Sequence, residues 1–319
     1  MNFKCTSRYI SDDEIAARLQ QKQRCADAAK SSGTAFEATD SYLEVCDGLY
    51  REKGWGLLAF FMGGIPAICL TAMFIWMAIE VSPALRQKGQ TELTHWGCGF
   101  LALSSFGAFL WATHFLFVDC FNYTSKPIRF NRPNRTIYAF KHNGPDGVVA
   151  VPWDDTLFYI ERSPKGGLFQ TAARVVRCLV LNEKGQVTDS FPIGKRVVLA
   201  SSEEGPLGQQ VMNELYEDFE YYRRFMEEGS ALLPPVESFL SKEVSFQNSI
   251  SFLFKDESAL LKSGSVFLVV FGIIGLVPYF IFSCANYVAM RTCRQPVWPD
   301  DVERACRVLP AETGESVAT

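Results

Sequence analysis

Three long apolar stretches divide an otherwise mixed chain. Trp55–Glu80 carries no charge before its last residue, and Trp96–Val118 and Val266–Met290 carry none. About 20 apolar residues cross the hydrocarbon of a bilayer as a helix, so each stretch is long enough to span. The linker Val81–His95 is short and polar, so the first two stretches predict a helical hairpin. Its small residues Gly97, Gly99, Ala102, Ser104, Ser105, Gly107 and Ala108 would allow close backbone approach. Trp55, Trp76 and Trp96 stand near the ends, as interface anchors do. Pro66 and Pro278 lie inside spans, where membranes tolerate them.

Outside these stretches the pattern is polar and changes period twice. Ser11 and Glu14 have capping-box spacing and predict a helix to about Lys30, stopped by Ser31, Ser32 and Gly33. Its apolar stripe, Ile15, Leu19 and Ala26, is thin. A second short helix is expected from Ser41. After the second span, β-rich runs alternate with turns. Ile128–Phe130 and Arg135–Lys141 flank Asn131-Arg132-Pro133-Asn134. Val148–Ile160 follows the turn at Asn143–Gly147. Leu168–Leu181 follows the break at Ser163–Gly167. Gln186–Phe191 and Arg196–Ala200 add two short strands. From Pro206 to Glu228 the period becomes helical, with Val211, Leu215, Phe219, Tyr222 and Met226 on one stripe. Gly229 and Pro234-Pro235 end it.

This order predicts an α+β membrane protein. A transmembrane helical hairpin and a third transmembrane helix bracket a pleckstrin-homology-like antiparallel β domain with a C-terminal amphipathic helix. The expected organisation is a polar helical region over 1–53, the hairpin over 54–120, and the β-rich domain over 121–262, closed by helix 206–228. A third span over 264–292 and a polar tail over 293–319 complete it.

Composition fits a part-embedded, part-soluble chain. Of 319 residues, 48 % are hydrophobic, 21 % are charged and 26 are Phe. A net charge of −4 supplies no basic field for nucleic acid. The ten cysteines are scattered without a C-x-x-C pair, which argues against a disulfide framework or a zinc site. The start, Met-Asn-Phe-Lys-Cys, has no apolar run, so no cleaved leader is expected.

Three crossings would put the N-terminus and the β domain on one side, with the hairpin loop and tail opposite. Arg51, Lys53, Lys126, Arg129, Arg132, Arg135, Lys255 and Lys262 then flank one face. Arg86, Lys88, Arg291 and Arg294 flank the other. The excess favours a cytoplasmic β domain.

Candidate chemistry is sparse. His114 and Asp119 could form a proton relay, but a polar residue facing the bundle is the plainer reading. His142 sits in a turn without a nucleophile motif. Trp153-Asp154-Asp155 is expected in a strand, where neighbouring carboxylates diverge. No phosphate loop, zinc helix or nucleophile elbow occurs. A non-enzymatic protein without cofactor or metal is expected. Charge is unevenly placed: Lys126–Arg196 holds twelve basic residues against six acids, and Glu203–Glu237 holds nine acids against Arg223 and Arg224. If the helix buries its apolar stripe, Glu214, Glu217, Asp218, Glu227 and Glu228 face solvent. Exposed acids steer basic partners, so these five are the candidate partner-binding residues.

Two motif groups carry a resemblance. One is Arg129-Phe130-Asn131-Arg132 with Ile137-Tyr138-Ala139-Phe140 and Val151-Pro152-Trp153-Asp154. The other is Phe219-Glu220-Tyr221-Tyr222-Arg223-Arg224-Phe225-Met226-Glu227-Glu228-Gly229 with Leu233-Pro234. Over roughly residues 50–290 the chain resembles a bacterial family of membrane proteins containing a domain of unknown function. Its genes often stand beside those of type VI secretion effectors. The resemblance implies an inner-membrane immunity protein that binds a cognate secreted effector, such as a nuclease. A membrane scaffold or accessory factor for effector loading is the alternative. It implies no catalytic residues; Trp153 would pack on the sheet, and Phe219, Tyr222 and Met226 would seat the helix.

Overall fold

The computed structural model describes residues 4–31, 33–164, 172–199, 203–254 and 266–307. The chain forms two compact units, each assembled from separated segments. One holds Met1–Arg51, Ser125–Lys242 and Gln295–Thr319; the other holds Glu52–Thr124 and Glu243–Arg294.

The first unit is built on two five-stranded antiparallel sheets. Strands β1 (Lys4–Tyr9), β2 (Arg18–Leu19), β8 (Leu157–Arg162), β9 (Ala172–Leu181) and β10 (Gln186–Leu199) run in the order β1-β10-β9-β8-β2. Strands β3 (Ala35–Ala38), β4 (Tyr42–Val45), β5 (Ile128–Asn131), β6 (Thr136–Phe140) and β7 (Val148–Pro152) lie in sequence order. Alternation sorts the second sheet's faces: Leu43, Phe130, Ile137 and Val151 pair across it on the inner side and are buried. Helix α6 (Pro206–Glu227) adds Leu215, Phe219, Tyr222, Phe225 and Met226 to the same core.

The N-terminal region departs from expectation. The Ser11–Glu14 capping box forms, but its helix α1 is only Asp12–Ala16. The expected helix to Lys30 is replaced by β2 and a loop, and the expected helix from Ser41 is the strand β4. A thin apolar stripe cannot bury enough surface to hold a solvated helix, whereas strand pairing at a sheet margin satisfies the same backbone. Residues 1–53 are therefore largely part of the β unit, not a separate helical region. The expected strands at Gln186–Phe191 and Arg196–Ala200 are one strand, β10. Its register shifts between Ile193 and Arg196, where Gly194 has φ +72°. Trp153 lies after β7, not within a strand. Leu168–Thr171 and Lys165–Gly167 lie outside the described residues.

The expected polar tail is also part of the β unit. Helix α9 (Asp300–Arg307) buries Val302 and Cys306, and Trp298 is buried before it. They cover the outer side of the second sheet. Trp298 stands edge-on to Phe140 at 5.8 Å and donates from Nε1 to Glu44 at 3.1 Å. Ser41 Oγ donates to the Cys306 carbonyl at 2.6 Å, and Asn131 Nδ2 to that of Ala305 at 2.9 Å.

The second unit is helical. Tyr50–Ile79 and α5 (Thr91–Cys120) are 30 residues each and apolar enough to cross a membrane, by length and composition. The first ribbon comprises α2 (Trp55–Ala59), a π-helical turn at Phe60–Gly64 and α3 (Ile65–Ile79). The wide turn sits just ahead of Pro66, which cannot donate a backbone hydrogen bond and crowds the preceding turn. A short helix, α4 (Pro83–Gln87), occupies the linker. Helices α7 (Phe246–Phe254) and α8 (Val266–Thr292) complete the unit.

Candidate functional site

Helix α6 forms where sequence periodicity places it, and its aromatic stripe explains its seat. Tyr222 stacks on Phe130 at 5.2 Å, and Phe219 meets Phe158 at 5.2 Å and Trp153 at 6.5 Å. Tyr222 reaches the Thr34 hydroxyl at 2.9 Å. Met226 is buried beside them.

The five acids do not form one solvent-facing row. The Asp218 side chain is only 3 % exposed and stands 3.8 Å from Lys195. It falls on the buried side next to Phe219, facing Lys195 in the irregular stretch of β10 between Ile193 and Arg196. Glu214 accepts from Lys195 Nζ at 2.6 Å and is 41 % exposed. Glu227 accepts from Trp153 Nε1 and Arg135 Nη2, both at 2.7 Å, and Arg135 also grips Asp154. Glu228 is 40 % exposed and accepts from Arg223 at 2.6 Å. Glu217 is partly exposed, and its carbonyl accepts from the Lys30 amide at 3.2 Å.

The ionic groups that tie the unit together are mostly ones that sequence reasoning passed over. Glu220 is fully buried on α6. Its carboxylate accepts from Arg223, Arg224 and the Cys25 amide, fastening the N-terminal loop to the helix. Burial pushes this carboxyl up, but the two arginines outweigh it and hold it at about 2. The Cys25 thiol is pushed up to about 12 by burial and by Glu220. Glu14 is held at about 2 mainly by Arg8, whose Nη1 donates at 2.7 Å. On the outer sheet face, Arg129 is buried between the rings of Tyr42 and Trp298, at 4.9 and 4.6 Å. It pairs with Glu44 at 2.6 Å and Glu303 at 2.9 Å. One cue was available: Trp298, Val302 and Cys306 recur every fourth residue.

The helical unit separates His114 from Asp119. His114 is exposed, while Asp119 Oδ2 accepts from the amides of Gly54 and Gly56 at 2.9 and 2.8 Å. It thus caps the start of α2 from the end of α5. The hairpin seam uses only part of the expected set of small residues, Ala102 and Ser105 among them. A Cβ added at Gly97, Gly99 or Gly107 would meet nothing within 4 Å among the described residues. Cys98, Ala102, Ala112 and Cys120 are buried on α5, Ala67 and Thr71 on α3, and Ser105 Oγ lies 2.8 Å from Thr71 Oγ1. A Cβ on Gly56 would stand 2.5 Å from the Phe115 carbonyl oxygen. Outward, the hairpin presents large apolar side chains, among them Met62, Trp76, Ile79, Trp96, Phe100 and Leu103. Among the described residues, no three His, Cys, Asp or Glu side chains gather as a metal site.

The sequence pattern of a family of unknown function, DUF6708, matches residues 108–310. The chain belongs to this family. The matched span runs from the last turns of α5 through β5–β10, α6, α7 and α8 into the tail. It therefore includes both the strand core and the segment that returns to it. Strands β1–β4 and the first long helix fall outside it. No curated protein and no solved structure matches the chain.

Proposed function

We propose that the protein is a non-enzymatic binding protein of the bacterial inner membrane, with a cytoplasmic β unit, that neutralises a type VI secretion effector by direct binding. The observation that carries the membrane part is the exterior of the hairpin. Exposed apolar surface on this scale is unfavourable in water and natural against acyl chains. Trp76 and Trp96 stand near one end of the pair and Trp55 at the other, as an aromatic belt requires. Helix α8, 27 residues long, is read as a further membrane segment. Two antiparallel sheets closed by one amphipathic helix suit the pleckstrin-homology-like reading of the β unit.

The immunity part rests on the resemblance in the 128–154 and 219–234 motifs. A partner surface on the family's closing helix would use Glu214, Glu217 and Glu228, the more exposed of the candidate acids, with Glu227 at the margin.

Deleting the gene in a strain with and without the neighbouring effector gene tests the role. Loss of viability only when the effector is present is expected. A healthy deletion strain that no longer delivers the effector would replace immunity with an accessory role.

A further inference from the structure

Resting on the membrane reading above, we propose that the second excursion from the β unit, residues 243–294, returns to the side it leaves. The N-terminal segment, the β unit and the tail then share one compartment, and the chain makes no net crossing. This replaces the three-crossing topology, which put the tail opposite the β domain.

Two sets of contacts, one inside each unit, carry the inference independently. In the β unit, the tail is not a loose appendage. Trp298, Val302 and Cys306 are buried, Glu303 pairs with the buried Arg129, and Asn143 Oδ1 accepts from the Val297 amide at 2.9 Å. A segment placed across a bilayer from the sheet could make none of these contacts.

In the helical unit, the chain ends gather at one pole. The start of the first long helix meets the end of α5 through Gly54, Gly56 and Asp119. Lys53 Nζ donates to the Asp119 carbonyl at 2.9 Å and reaches Cys293 Sγ at 3.3 Å, which brings in the end of α8. Asn286 Nδ2 donates to the Lys53 carbonyl at 2.9 Å, and the Thr124 amide to that of Arg294 at 2.9 Å. Phe246, at the start of α7, packs on Phe280 near the middle of α8 and on Tyr287, one residue past the Asn286 that holds Lys53. The passages at residues 52, 124, 243 and 294 therefore all belong to the same end of the helical unit. Residues 255–265, with Lys255 and Lys262, lie outside the described residues and carry none of this argument.

The charge pattern becomes simpler as a result. Arg291 and Arg294 join Arg51, Lys53 and Lys126 on the β-unit side, leaving Arg86 and Lys88 in the hairpin loop. That is a stronger bias towards a cytoplasmic β unit than three crossings allow.

The test uses the full chain in bacterial membranes. Fluorescent-protein and alkaline-phosphatase reporters are placed before Met1, after Thr319 and at Gly89 in the hairpin loop. Matching reports from both termini, with the opposite report from Gly89, are expected. Termini on opposite faces would overturn the inference while leaving the membrane reading intact. A chain released by carbonate washing, with all three positions cytoplasmic, would instead overturn the membrane reading, and the inference with it. A second measurement avoids fusions. In Asn131→Cys, mild oxidation of intact membranes should yield a peptide linking position 131 to Cys306, because the native side chains approach to 3.5 Å. Loss of that link, with an unchanged protease-resistant core, also counts against the shared compartment.

Discussion

Trp153 is held in two chemically different ways. Its ring is fully buried against Phe130 and Phe158, at 6.0 and 5.0 Å, while its Nε1 donates to Glu227. Removing the ring and removing the hydrogen bond should therefore have separable costs. Trp153→Ala is expected to destabilise the β unit by about 3–5 kcal/mol, the range for a large core aromatic. Trp153→Phe keeps most of the apolar contact and leaves Glu227 to Arg135 alone, for about 1–2 kcal/mol. Urea titration of the detergent-solubilised chain, followed by near-ultraviolet circular dichroism, separates the two. Phe219, Tyr222 and Met226 stand out in the sequence as aromatic or sulfur positions on a clear helical period, and Trp153 through the motif that carries the resemblance. Phe130 and Phe158 do not, because alternation within one strand cannot say which inward residue will meet the helix. Asp218 shows the converse: a charge on a helix looks solvated until the bulged strand beneath it supplies Lys195.

Among the elements, α6 and the hairpin test different physics. Glu220 joins the N-terminal loop to α6, and its folded carboxyl lies well below its ordinary value. A carboxyl depressed on folding stabilises fully above its unfolded value, near 4.5, and that contribution is lost as pH falls towards about 2. Glu14 behaves alike. Acid unfolding of the β unit should therefore steepen between these limits, and Glu220→Gln should flatten it. The same change should destabilise at neutral pH by about 3–5 kcal/mol, as breaking a buried pair does. In the hairpin, Gly56→Leu should split the helices, because the carbonyl of Phe115 cannot retreat. Gly97→Leu should leave the pair intact. Thermal melting with trypsin resistance in detergent distinguishes them, and equal sensitivity at both positions would refute the seam.

For the whole molecule, partner steering is the sharpest consequence of the proposed function. Converting Glu214, Glu217 and Glu228 to Lys should slow association with the effector at low salt more than at high salt, since half-exposed charges act mainly on approach. Equal rates at both salt concentrations would move the partner site to the sheet loops. The long apolar runs, the hairpin, the core strands and α6 were legible because each has one dominant period. The assembly of the β unit was not. Ala35–Ala38 and Tyr42–Val45 are only four residues each, too short to show a period, and they acquire meaning only from β5. The packing of the tail was not legible either: apolar runs say nothing of a polar segment, whereas the burial of Trp298 and Cys306 comes from the sheet face they cover.

The π-helical turn at Phe60–Gly64 carries a consequence for which length changes the hairpin can absorb. Gly56, Gly64 and Thr71 all touch α5, yet the first two are eight residues apart and the last two seven. At about 100° per residue, eight α-helical steps would leave Gly56 roughly 80° off the line. The wide turn takes up about one residue and restores the phase. Loss of one residue within Phe60–Gly64, such as the outward-facing Met62, should therefore convert the turn to ordinary α-helix and keep the seam. Loss of one residue between Gly64 and Thr71 should rotate the Thr71 hydroxyl by about 100°, away from Ser105 and out of the seam.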